Sequence, residues 1–166
     1  MIDAPMVETV AGLEPICESN PYRRYAPGEY DAECVAAHTY RNPLLRAWKC
    51  QLEFRLLGNG AEVFAFLNLG KGEKPKAGRH SMYAGAWTIA NGGPPRRRQT
   101  MSARVFKGKM FQIKVGDVIG NYRGGPHHPS ERYSVVREIV TQISFDIGSR
   151  QATKYTSNQA TEAWAK

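Results

Sequence analysis

Between Lys74 and Gly116 the chain carries ten basic residues (Lys74, Lys76, Arg79, Arg96, Arg97, Arg98, Arg104, Lys107, Lys109 and Lys114) and no Asp or Glu. Tyr83, Trp87, Phe106 and Phe111 are interleaved with them, and a Gly-Gly-Pro-Pro turn precedes the arginine triplet. Cations neutralise phosphates and release counterions, while aromatic faces accept stacked bases. This combination suits a single-stranded nucleic acid read without regard to sequence. Lys49 and Arg55, further upstream, extend the set of candidate phosphate contacts.

Other chemistry is sparse. Pro126-His127-His128-Pro129, with Asp117 and Glu131 near it, is the one local group that could hold a divalent ion for a small nuclease. A polar loop is the plainer account, because no Cys-x-x-Cys, His-x-x-x-His or HExxH spacing accompanies it. There is no nucleophile elbow, phosphate-cradling Gly-x-x-x-x-Gly-Lys or recognisable Cys–His pair. No catalytic constellation and no cofactor are expected. A protein-interaction or inhibitor module with a basic face is the alternative from another class.

The 166 residues, 42% hydrophobic and 23% charged, fit one globular domain. The net charge of +8 favours acidic partners. Residues 1–34 run the other way, with seven acids (Asp3, Glu8, Glu14, Glu18, Glu29, Asp31 and Glu33) against Arg23 and Arg24. Such an end serves as a solvated leader, as a means of self-association, or as an arm over a basic face. No apolar run approaches a membrane span and the N-terminus lacks a signal-peptide pattern. Three unpaired-looking cysteines, Cys17, Cys34 and Cys50, then suit a reducing compartment. A cytoplasmic location is expected, and homo-oligomerisation is left open.

The elements that must position the basic residues can be read from periodicity. Two prolines within Asn20–Pro27 give an irregular arm over residues 1–27. Tyr30 to Ala36 alternate as a first strand, and His38–Pro43 is expected to turn. Trp48, Cys50, Leu52, Phe54 and Leu56 define one face of a second strand, with Lys49, Gln51, Glu53 and Arg55 on the other. Gly58-Asn59-Gly60 is a hairpin turn. Val63–Leu69, apolar on both faces, is expected to be a third strand covered on both sides.

Ser81 caps an expected helix over Met82–Asn91, with Tyr83, Ala86, Trp87 and Ala90 on its buried face and Gly92 ending it. Lys109–Val115 and Tyr133–Ile143 are the fourth and fifth strands. A polar tail, expected to be mobile, covers residues 148–166. Trp87 and Phe111 thus belong to the core, which leaves Phe106 and Tyr122 as the stacking candidates. The element order is that of a mainly β, five-stranded OB-like barrel over residues 28–147, with its helix between strands three and four.

The Gly-Glu-Tyr opening, Trp-Lys-Cys-Gln-Leu-Glu-Phe, Val-Phe-Ala-Phe-Leu-Asn-Leu and Phe-Lys-Gly-Lys-Met-Phe-Gln-Ile-Lys-Val resemble small OB-type proteins close to single-stranded DNA-binding proteins. Those proteins serve phage and mobile-element replication and recombination modules. The resemblance spans about residues 28–143 and implies binding of single-stranded DNA beside replication or recombination proteins. The ending Thr161-Glu162-Ala163-Trp164-Ala165-Lys166 departs from the acidic, apolar-tipped tail of bacterial members, although Trp164 could still anchor a partner.

Overall fold

A computed structural model describes residues 23–120, 123–145 and 152–156. Six strands occur in the order β1 (Gly28–Asn42), β2 (Ala47–Leu56), β3 (Glu62–Asn68), β4 (Met110–Val118), β5 (Tyr133–Phe145) and β6 (Ala152–Thr156), with helix α1 (Met82–Asn91) between β3 and β4. Their lateral order is β3-β2-β1-β4-β5-β6. A further parallel pair, Phe64 with Val135, joins β3 to β5, so five strands close in a ring.

β2 forms as its alternation dictates. Cys50, Leu52, Phe54 and Leu56 are buried, and Lys49, Gln51, Glu53 and Arg55 lie on the opposite face. The turn at Gly58–Gly60 closes through the Gly60 amide, which donates to the Leu56 carbonyl (2.9 Å). Gly60 adopts a φ of 68°, which glycine accepts without strain.

β1 runs further than its sequence suggests. In place of a turn at His38–Pro43, pairing with β2 continues to Asn42, and the reversal occupies residues 43–46. A bulge between Cys34 and Ala36 explains the difference. One extra residue on β1 switches the inward set from Ala32 and Cys34 to Ala37, so simple alternation fails beyond it.

Helix α1 occupies its expected span. The Ser81 hydroxyl accepts from the Ala84 amide, and Gly92 (φ 72°) caps the other end, its amide donating to the Ile89 carbonyl. Burial exceeds one stripe, because Ala84, Thr88 and Ile89 are enclosed as well as Tyr83, Ala86, Trp87 and Ala90. Thr88 manages this by returning its hydroxyl to the Ala84 carbonyl (2.8 Å).

The helix also gathers the chain that follows it. Tyr83 Oη donates to the Met101 carbonyl (2.7 Å) and Trp87 Nε1 to the Ser102 carbonyl (3.1 Å). A short 3-10 turn at Ala103–Val105 then delivers Phe106 into the core against Tyr83 and Phe111.

The sheet gains a sixth member where a polar tail was expected. Ala152–Thr156 pairs antiparallel with β5 from Thr141↔Thr156 to Phe145↔Ala152. Thr-Lys-Tyr-Thr has good β propensity, and edge pairing draws on backbone hydrogen bonds more than on apolar side chains. The remainder of that segment, and residues 1–22 of the irregular arm, lie outside the described residues. Among the described residues no helix is long and apolar enough to cross a membrane.

Candidate nucleic-acid interface

The registers of β1, β2 and β3 build rows of side chains across the outside of the ring. Tyr40 stands opposite Lys49, which stands opposite Asn68. His38, Gln51 and Phe66 form the next row, then Ala36, Glu53 and Phe64, then Glu33, Arg55 and Glu62. Directly opposed residues share a face. This face is the outer one, because Val63, Ala65 and Leu67 of β3 point to the core and are buried.

Phe64 and Phe66 are therefore only half-buried, where a strand enclosed on both sides was expected. Their rings stack at 6.4 Å between centroids with 25° between planes. An apolar residue at every position of Val63–Leu67 reads as a doubly buried strand, but the ring has only one inside. The sequence signal that could have found the pair is its chemistry: the outward residues are both aromatic, the inward ones aliphatic.

The two ends of this face differ electrostatically. At the Tyr40–Asn68 end, Lys49 Nζ donates to Asn68 Oδ1, and the lysine loop begins immediately beyond. That loop is tied to β2 through Trp48. The Trp48 amide donates to the Gly70 carbonyl (2.8 Å) and Trp48 Nε1 to the Gly72 carbonyl (3.1 Å), while the Lys76 amide donates to the Leu69 carbonyl (2.7 Å). Lys71, Lys74, Lys76 and Arg79 are exposed on it. At the other end Glu53, Glu62 and Glu33 surround the exposed Arg55. A polyanion is thus favoured at the Tyr40 end, where cations neighbour the aromatics.

At the Phe64 end lies an open groove of about 290 Å³ lined by Arg23, Tyr25, Gly60, Ala61, Glu62 and Phe64. Its wall is a strap of residues 23–25. The Ser134 amide donates to the Arg23 carbonyl (3.0 Å), the Tyr25 amide donates to Ser134 Oγ (2.8 Å), and Tyr25 Oη donates to the Glu62 carbonyl (3.0 Å). Arg24 pairs with Asp117 at 2.7 Å, and Ser134 Oγ lies 3.0 Å from the same carboxylate. The Arg24 hydrogen bond, helped by Ser134 and by the charges of Arg24 and Arg132, holds the Asp117 carboxyl below its ordinary value.

The remaining sequence candidates scatter. Arg96, Arg97 and Arg98 are exposed, on the turn that follows the C-terminal end of α1, and the lysine loop precedes its N-terminal end. Ten residues of helix separate these ends by about 15 Å. Arg98 takes a left-handed φ of 66°, and the Gln99 side chain accepts from the Arg96 amide (2.8 Å), so the turn is locally ordered. Arg104 and Lys107 are exposed beside the 3-10 turn.

Two candidates need correction. Phe106 has no exposed surface, so it supports the core and offers no base a face. Its basic neighbours suggested a surface position, but the 3-10 turn points them out and the ring in. Lys109 is partly buried, and its ammonium donates to the Ala90 carbonyl (2.5 Å), completing the C-terminal end of α1 where a cation is favoured. Burial lowers its pKa. Tyr122 lies outside the described residues.

The suggested nuclease group does not assemble. Asp117 is engaged by Arg24 and Ser134, and His127 Nδ1 lies 3.7 Å from Glu131 Oε2. Among the described residues no three His, Cys, Asp or Glu side chains converge to hold an ion. Compared with known protein families and with curated proteins, the chain matches none, so its functional reading rests on fold and side chains.

Proposed function

We propose that the chain is an OB-type barrel that binds single-stranded nucleic acid, DNA in the first instance, across the outer face of β1, β2 and β3. The reading is carried by one observation: of the stacked pair, Phe66 lies in register with Gln51 and His38 and Phe64 with Glu53 and Ala36, one row from Lys49 and Tyr40 and close to the lysine loop. Ring closure through β3 and β5, with the helix between β3 and β4, supports the barrel assignment. OB barrels take oligonucleotides on the strand-two and strand-three face and the adjoining loops.

Bases would stack on Phe64 and Phe66, and probes of any sequence would serve, because every base has a π-face. Lys49, Lys71, Lys74, Lys76 and Arg79 would neutralise the backbone, with Arg96–Arg98 an outlying contact for longer strands. The setting implied by the resemblance, replication or recombination of a phage or mobile element, belongs to this proposal. Fluorescence anisotropy with single-stranded DNA, single-stranded RNA and duplex, each at two salt concentrations, tests it. Single strands are expected to bind most tightly and to weaken steeply with salt. Absence of binding at low salt overturns the reading, and a preference for duplex moves the site elsewhere.

A further inference from the structure

Among the described residues, the turn joining β1 to β2 carries the most exposed large apolar side chain. Leu44 is 86% exposed and Leu45 50% exposed. Exposing adjacent leucines on a loop is costly unless something covers them. The turn is also held stiffly. Strand pairing runs up to Asn42↔Ala47, Pro43 fixes its own φ, the Leu45 amide donates to Asn42 Oδ1 (3.0 Å), and Arg46 adopts a left-handed φ of 47°. Arg41 and Arg46, both exposed, flank the leucines. From Cys34 to Leu52 the chain contains no acid.

We propose that this turn is an apolar wedge that unstacks bases where a single strand meets a duplex, giving the protein a duplex-opening activity. The proposal rests on the single-strand reading of the β1–β3 face. The turn begins three residues after Tyr40 and ends three before Lys49, so it projects from the cationic end of that face. A strand lying along Lys49 and Tyr40 brings its next base pair against Leu44. Leucine is among the side chains that proteins insert between base steps, and arginines on each side hold the phosphates of the parted strands. A second copy of this chain is a poorer occupant. Two leucines on a four-residue turn fall far short of the area a stable interface buries, and the tip would meet its own arginines.

The experiment uses a forked DNA with a single-stranded arm and 2-aminopurine at the junction, whose fluorescence rises on unstacking. The unaltered protein is expected to raise the signal severalfold. L44S/L45S is expected to lose this rise while binding a single-stranded oligonucleotide within twofold of the parent. Because both leucines are exposed, the variant should fold as the parent does, which its own thermal melt verifies. If the double variant still opens the junction, the wedge is overturned and the single-strand reading survives. Loss of self-association in sedimentation, with junction opening unchanged, overturns it in favour of a second copy. If the parent binds no single strand, both proposals fall together.

Discussion

Phe64 and Phe66 lie two residues apart on β3 and stack with 25° between their rings, forming one aromatic strip beside Gln51 and Glu53. Neither ring is needed to fill the core, which is built from the intervening Val63, Ala65 and Leu67. Replacing Phe66 with Ala is expected to weaken single-strand affinity by about 1–3 kcal/mol. The thermal midpoint should move far less than in Phe106→Ala, where loss of an enclosed ring costs about 3–5 kcal/mol of stability. Anisotropy and calorimetry on the two variants make the comparison. A Phe66 variant that loses stability but not affinity would return this ring to the structural frame.

The lysine loop and the arginine turn sit at opposite ends of α1, so their contributions to binding are separable. Changing Lys71, Lys74 and Lys76 together to Ala is expected to reduce the slope of log affinity against log salt by up to about 2, at roughly 0.7 per phosphate contact on a single strand. Changing Arg96, Arg97 and Arg98 together is expected to weaken binding with a smaller loss of slope on a short oligonucleotide. The opposite ranking would shift the strand's path to the C-terminal end of the helix.

Asp117 fastens the strap of residues 23–25 through Arg24 and Ser134. Its folded-state pKa is depressed, so its contribution is present at neutral pH and is lost as the pH falls through the folded value, below about 4. Hydrogen exchange at the Ser134 amide, which donates to the Arg23 carbonyl, reports the strap. Protection relative to the intrinsic rate at each pH should fall as the solution is acidified through that range, and Asp117→Asn should show reduced protection already at neutral pH. Equal protection in the variant and the parent at neutral pH would show that backbone contacts alone hold the strap.

Cys34 and Cys50 are fully enclosed, and burial raises their thiols to about 12 and about 11, Cys34 being pushed further by the neighbouring Cys50. The thiolate is the reactive form, so a folded protein carrying Cys17→Ser should resist thiol-modifying reagents at neutral pH. Both thiols should react once denaturant unfolds it. Rapid labelling under native conditions would mean that β1 and β2 open locally.

How much of this was readable in the chain depended on whether a residue's own chemistry fixed its position. Ser81 and Gly92 bounded α1 because a capping hydroxyl and a left-handed glycine act locally. The alternation from Trp48 to Leu56 likewise fixed the inward face of β2. The bulge in β1 left no mark, since Val35, Ala36 and Ala37 are all small or apolar and fit either phase. Phe106 misled for the opposite reason: basic neighbours described the surface around it, while the 3-10 turn decided where the ring went. The outward aromatic pair emerged only with the register, because the side that water sees is a property of the closed ring. Ala152–Thr156 was hidden by its polar composition, although its pairing is made by the backbone.

The most direct measurement is a nuclear magnetic resonance titration of isotopically labelled protein with a short single-stranded DNA. Amide shifts are expected to concentrate at His38, Tyr40, Lys49, Gln51, Phe64 and Phe66, with the lysine loop responding alongside. Shifts absent from this face, or confined to the segment from Arg96 to Lys107, would contradict the assignment of the interface to β1, β2 and β3.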